Sequence, residues 1–274
     1  MSTVAAIQMA SGPNVQANLL EAAGLIGNAA EAGAELIVLP ENFGMMGMKP
    51  EDVLKVMEQP GAGLMQDFLA DQAKKYGIWL VGGTVPLSSS DEKRVRQSCL
   101  LFDDQGEQVA RYDKLHLFDV QIEESGDSYH ESSVIEPGNE AVVVDTPFGK
   151  LGLAICYDLR FPELFRQLVD KGMEIAAVPS AFTSITGKAH WEPLVRARAI
   201  ENLSYVVAAA QGGYHINGRA TYGHSVIVDP WGSKLAEMSQ GVGYVSARLD
   251  RERLNSTRKN FPVIEHRRLR CEMV

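Results

Sequence analysis

Cysteine is scarce in this 274-residue chain. Only Cys99, Cys156 and Cys271 are present, far apart and without a CxxC or His-rich spacing beside them. That pattern excludes a disulfide framework and a structural zinc site as organising devices, and it suits a reducing compartment. No apolar run approaches the roughly 18 residues that a membrane-spanning helix needs, and the first residues lack the basic, long-apolar and small-residue zones of a signal peptide. A soluble, cytoplasmic protein is the expectation. Positive charge is also short, with 26 Lys and Arg against 35 Asp and Glu and a net charge of -9. Such a surface excludes a partner held mainly through phosphates or anionic lipid, so neither nucleic acid nor membrane is expected. Repeats, low-complexity tracts and linkers are absent as well, which leaves one domain over 1–274.

What the chain does have is a recurring alternation of short apolar strands and helical periods. "VAAIQM" reads as a strand, and Leu19, Leu20, Ala23, Ile26 and Ala30 then recur at helical spacing up to Gly33. "ELIVL" follows as a buried strand. "LMQDFLADQAKKYG" before "IWLVGG", and "KLGLAIC" before "PELFRQLVDKG" and "EIAAVPS", repeat the pattern. Other strands look hairpin-linked: "QSCLLFD" with "QVARYD" across "DQGE", and "HSVIVD" with "KLAEM" across "PWGS", with "GYVSARL" close behind. The two connection types together predict an α/β protein with mixed sheets covered by helices on their outer faces. A long helix from about His190 to Leu203 is expected to pack on one of them.

Three apolar strands run into a chemically useful residue: "ELIVLP" into Glu41, "LGLAI" into Cys156 and "EIAAVP" into Ser180. The carboxyl ends of strands line the ligand crevice in open α/β sheets, so these positions suit chemistry. Alone, Glu41 and Ser180 could as well be loop and helix caps. A thiol nucleophile requires a base and a stabiliser for the oxyanion. Any of the six histidines could be that base. A buried carboxylate such as Glu41 is an adequate alternative, since burial raises its proton affinity toward neutrality. Lys114, at the end of "QVARYD", could reach solvent along its stem or, buried beside Glu41, hold an oxyanion.

The motifs "LIVLPENF", "RYDKLHLFD" and "GLAICYDLRFPELFR", in this order, resemble the nitrilase (carbon-nitrogen hydrolase) superfamily, and the likeness runs from "AAIQM" to "FPVIEHRRL". The resemblance implies a four-layer α-β-β-α sandwich with two mixed β-sheets, and a Glu41, Lys114, Cys156 triad. Cys156 attacks an amide or nitrile carbon, Glu41 takes and returns protons, and Lys114 with the backbone N–H of Tyr157 steadies the intermediate. It also implies a second glutamate, best matched by Glu131 rather than Glu123, Glu124 or Glu136, positioning Lys114 and the substrate amine. No metal or organic cofactor is needed. Homodimers or higher homo-oligomers are usual, with residues from about 256 forming a tail at the interface. "GKAHWEPLVRARAIENLSYVVAAAQGG" and "ATYGHSVIVDPWG" resemble the deaminated glutathione amidase branch, with omega-amidase on small 2-oxo-acid monoamides the alternative. Both substrates are small amides bearing carboxylate, for which Arg219 and Ser180 are the substrate-binding candidates. Arg196 and Arg198 are read as salt-bridged within or between subunits, and Asp158, Arg160 and Glu163 as the structural mounting of the nucleophile turn. Cys99 and Cys271 are read as structural or incidental. A catalytically silent metabolite-binding protein on the same fold is the contrasting class, because a fold does not fix an activity.

Overall fold

The structure, a computed structural model, describes residues 1–124 and 126–271. Its first half holds β1 (Ser2–Gln8), α1 (Val15–Glu31), β2 (Leu36–Val38), α2 (Leu64–Tyr76), β3 (Trp79–Val81), β4 (Val85–Ser88), β5 (Val95–Phe102) and β6 (Gln108–Asp113). A ribbon of β7 (Asp119–Ile122) and β8 (Asp127–His130) precedes β9 (Val143–Thr146), β10 (Gly149–Leu153), α3 (Pro162–Asp170), β11 (Ile175–Ser180) and α4 (Ser184–Asn202). The chain continues through β12 (Tyr205–Ala210), β13 (Gly212–Tyr214), β14 (Ala220–Tyr222), β15 (Val226–Val228), β16 (Lys234–Glu237), β17 (Gly243–Leu249) and α5 (Arg251–Asn260).

Two mixed sheets result. One runs β17-β1-β2-β3-β5-β4 with β6 added to β5, and the other runs β16-β15-β12-β11-β10-β9. Their centres are parallel, β1-β2-β3 and β10-β11-β12, and their flanks antiparallel. The period of two along each strand explains the layering. In β1, Ala5 and Ile7 face α1 and α2 in one apolar cluster, while Val4 and Ala6 face the second sheet in another. In β5, Leu100 and Phe102 take the helix side, whereas Cys99 and Leu101 take the inter-sheet side. Strands buried on both faces must be apolar throughout, which is why "ELIVL" and "EIAAV" carry no alternation. α3 and α4 cover the second sheet, completing four layers.

Both expected hairpins are present, β5 with β6 and β15 with β16. β17, read as a neighbour of the second hairpin, instead crosses to the first sheet and pairs antiparallel with β1 over Ser2 to Gln8. The helix expected from His190 begins earlier, at Ser184, because Thr183 caps it by accepting the Thr186 N–H at 3.2 Å. Its first turns lack apolar periodicity because they border the central cavity. The strand expected to reach Cys156 stops at Leu153. The expected tail from about 256 is helical to Asn260, and Arg258 anchors it by donating to Leu203 O and Met173 O. Among the described residues no helix is long and apolar enough to cross a membrane.

Candidate active site

Glu41, Lys114, Glu131 and Cys156 meet in a cavity of about 650 Å³ between the sheet ends. Each arrives by a different local device. Glu41 follows β2 and Pro40, and its backbone is pinned from below. Gly83, at φ +54°, lets that loop approach so closely that a Cβ there would sit 2.2 Å from Pro40 O. Gln211, just past β12 and fully buried, donates to Glu41 O at 2.9 Å and to Ser11 Oγ at 2.8 Å. Lys114 follows β6, with its N–H on Gln97 O. Its carbonyl receives the Gly138 N–H at 2.8 Å, and a Cβ on Gly138 would lie 2.2 Å from Asp113 O.

The Lys114 ammonium donates to Glu41 Oε1 at 2.8 Å and to Glu131 Oε1 and Oε2 at 2.7 and 2.9 Å. Glu131 opens a 3-10 turn after β8 and also accepts the Phe118 N–H at 2.6 Å. Burial alone would lower the Lys114 pKa. Glu131 and Glu41 outweigh it and hold the group charged, above the ordinary lysine range. Glu131 itself is raised, by burial first and by the Glu41 charge, against the opposing pull of Lys114.

Cys156 begins the 3-10 turn Cys156–Arg160 at φ +47°, a left-handed conformation that costs a non-glycine residue about 1–3 kcal/mol. The turn is held by Asp158, which is fully buried. Its carboxylate accepts Ile155 N–H at 2.8 Å, Tyr112 O–H at 2.6 Å and His116 N–H and Nδ1–H at 3.1 and 2.7 Å. The thiol sulfur receives the Ala181 N–H at 3.5 Å. Burial and the Glu41 charge push its pKa well up, with Lys114 and the Ala181 N–H opposing them. It therefore rests as a neutral thiol in the cavity that Glu41 also lines.

Among the described residues no histidine hydrogen-bonds the thiol, although His130 lines the cavity. His116 is on Asp158, His130 on Ser128 and His224 on Glu237. Arg160 donates to His190 Nδ1. His215, kept neutral by burial, donates from Nδ1 to Ser11 O and accepts from Thr221 Oγ1; His266 is exposed on the tail. Ser180, a substrate-binding candidate from sequence, requires correction. It is still inside β11, fully buried, and its hydroxyl turns back to Val178 O. Arg219 does reach the cavity. Its terminal nitrogen donates to Ala181 O at 2.8 Å, its guanidinium lies 5.3 Å from the Tyr129 ring, and its Nε is buried without a partner.

Arg160 also departs from its structural reading. Its guanidinium is on the cavity wall, 5.7 and 5.3 Å from the Tyr157 and Phe182 rings, while Asp158 holds the turn. Arg196 and Arg198 pair inside their own helix, with Glu192 and Glu201. Sequence reasoning missed Gln211 and the polar set of buried Gln97 and Thr84 with half-buried Asn42, in which Gln97 Nε2 donates to Asn42 Oδ1 and Thr84 Oγ1. The available signal was a lone glutamine directly after "YVVAAA", at a strand's carboxyl end.

The carbon-nitrogen hydrolase family model matches residues 3–259. The deaminated glutathione amidase of Yersinia enterocolitica is 40% identical over 274 residues, covering 100% of this chain and 95% of the relative. Among solved structures, the C. elegans NitFhit protein superposes with a TM-score of 0.88 at 39% identity over 97% of this chain, which spans only 65% of that longer chain. Saccharomyces cerevisiae Nit3, a member of branch 10 of the nitrilase superfamily, gives 0.87 at 33% identity over 98% and 97% of the two chains. With its two helix-covered mixed sheets and a family match over nearly its whole length, the chain belongs to the carbon-nitrogen hydrolase family.

Proposed function

We propose that this protein is a cysteine-dependent amidase that cleaves deaminated glutathione to 2-oxoglutarate and cysteinylglycine through a thioester. The observation that carries the reading is the Lys114 ammonium clamped between Glu41 and Glu131 beside a neutral thiol. Cys156 Sγ attacks the amide carbon as its proton passes to Glu41, so a thiol too basic to ionise alone still reacts near neutral pH. The carbonyl oxygen becomes an oxyanion facing Lys114 and the N–H of Tyr157. The first main-chain bond of the turn, Asp158 N–H to Ile155 O, lies one residue beyond Tyr157. Glu41 returns the proton to the nitrogen, the C–N bond breaks, and the amine departs. Glu41 then takes a proton from water, whose oxygen attacks the thioester; the C–S bond breaks, the acid is released and Glu41 returns the proton to Sγ. Glu131 holds Lys114 in place and offers an oxygen to the substrate amine.

Substrate assignment rests on the relatives' activity and on two cavity-facing guanidiniums, Arg160 and Arg219, suited to carboxylate. A volume near 650 Å³ lies within the roughly 300–1,000 Å³ usual for small-molecule sites. We also propose a homodimer, paired where Trp231, 58% exposed, packs edge-on against Phe261; light scattering behind size exclusion tests that. The activity is tested by steady-state rates on deaminated glutathione, 2-oxoglutaramate, simple carboxamides and nitriles. Highest kcat/KM on deaminated glutathione supports the reading. A preference for 2-oxoglutaramate transfers it to an omega-amidase, and inertness toward every amide leaves a metabolite-binding protein.

A further inference from the structure

Beside Arg160 and Phe182, the cavity lining carries a set of apolar side chains: Met45, Met48 and Val53 from the segment after Glu41, and Ile185 from the start of α4. Met48 and Ile185 are large apolar side chains left 51% and 39% exposed, although both line the cavity. Apolar surface left bare inside a binding site is covered when its ligand arrives. The reaction order says which part of the ligand that is. The acyl half stays on Sγ until water releases it, whereas the amine half departs first, so the amine half occupies the more exposed part of the cavity.

We infer that this apolar lining receives a substituent on the sulfur of the amine half, so that S-alkyl and S-aralkyl conjugates of deaminated glutathione bind more tightly than the free thiol. The inference rests on the amidase reading above. The bond changes are those of the parent reaction. The amide C–N bond breaks and the acyl carbon passes to Sγ. S-substituted cysteinylglycine leaves at that point with the former thiol proton; water's oxygen then completes the 2-oxoglutarate carboxylate as the C–S bond to Cys156 breaks and a water proton returns to Sγ, while the substrate's thioether is untouched. Sulfur-substituted substrates also suit methionine neighbours, whose flexible thioethers adapt to varied apolar shapes.

Binding and turnover are measured separately. Calorimetry with Cys156→Ala compares deaminated glutathione with its S-methyl and S-benzyl thioethers, and burial predicts about fourfold tighter Kd per methylene equivalent covered. Met48→Ser is expected to compress the S-benzyl to S-methyl affinity ratio. Equal or weaker binding of the thioethers, or an unchanged ratio in Met48→Ser, overturns the inference. Wild-type turnover of the parent amide reports on the amidase reading. Parent hydrolysis without tighter thioether binding therefore sinks only the inference, while absence of amide hydrolysis in the wild type sinks both.

Discussion

Replacing Glu41 by glutamine separates two consequences that a generic loss of activity would merge. The amide oxygen of the substituted side chain can still accept from Lys114, so the 2.8 Å contact and the shape of the site are retained. The proton acceptor is lost, and general-base removal costs about 10²–10⁴-fold in rate, or roughly 3–5 kcal/mol of barrier. The thiol should respond in the opposite sense. Glu41 is one of the causes that raise its pKa, and Lys114 opposes it. With position 41 neutral, the site changes from two carboxylates and one ammonium to one of each, and Cys156 should ionise at lower pH than in the wild type. The assay is the pH dependence of alkylation by iodoacetamide beside amide turnover. An alkylation midpoint that stays put or rises, or turnover within about threefold of the wild type, refutes the reasoning.

Lys114→Met should destabilise the fold by about 3–5 kcal/mol, because it leaves Glu41 and Glu131 facing each other in a buried site; urea titration checks this. Lys114 has a folded pKa above its ordinary 10.5, so its stabilisation is whole below that value and is lost as pH rises through the folded pKa. Wild-type stability should therefore decline between pH 10 and 12 more steeply than that of Lys114→Met, with equal slopes counting against the argument. Asp158→Ala strands four donors around the nucleophile turn and should cost about 3–5 kcal/mol, lowering Tm by roughly 6–20 °C. Arg219→Ala should raise KM for carboxylate-bearing amides about tenfold, the order of one charge-assisted hydrogen bond, with kcat nearly kept. An unchanged KM removes Arg219 from substrate recognition.

How far the sequence discloses this arrangement depends on what each feature is made of. Fully apolar strands and "DQGE" or "PWGS" turns are local, so the mixed sheets and both hairpins are legible. β17 is not, because its partner β1 lies more than 200 residues away and nothing local distinguishes the two sheets. Glu41, Lys114 and Cys156 stand out by residue type after strand ends, and the structure brings all three together. Ser180 has the same sequence signature but different geometry: β11 continues through it, so its side chain follows the pleat into the interior. Arg160 looks like turn scaffolding, but Asp158 and the Arg198 guanidinium, which donates to Leu159 O, are what hold that turn. Gln211 acts through Glu41's backbone carbonyl, a contact across 170 residues that no spacing encodes.

The central claim is that Cys156 carries the acyl group. Rapid quenching of the wild type with deaminated glutathione in acid, followed by peptide mass spectrometry, tests it directly. A 2-oxoglutaryl thioester on the peptide containing Cys156, accumulating further in Glu41→Gln if deacylation is slowed more than acylation, is the predicted result. Release of 2-oxoglutarate with undiminished rate from Cys156→Ala would contradict the account.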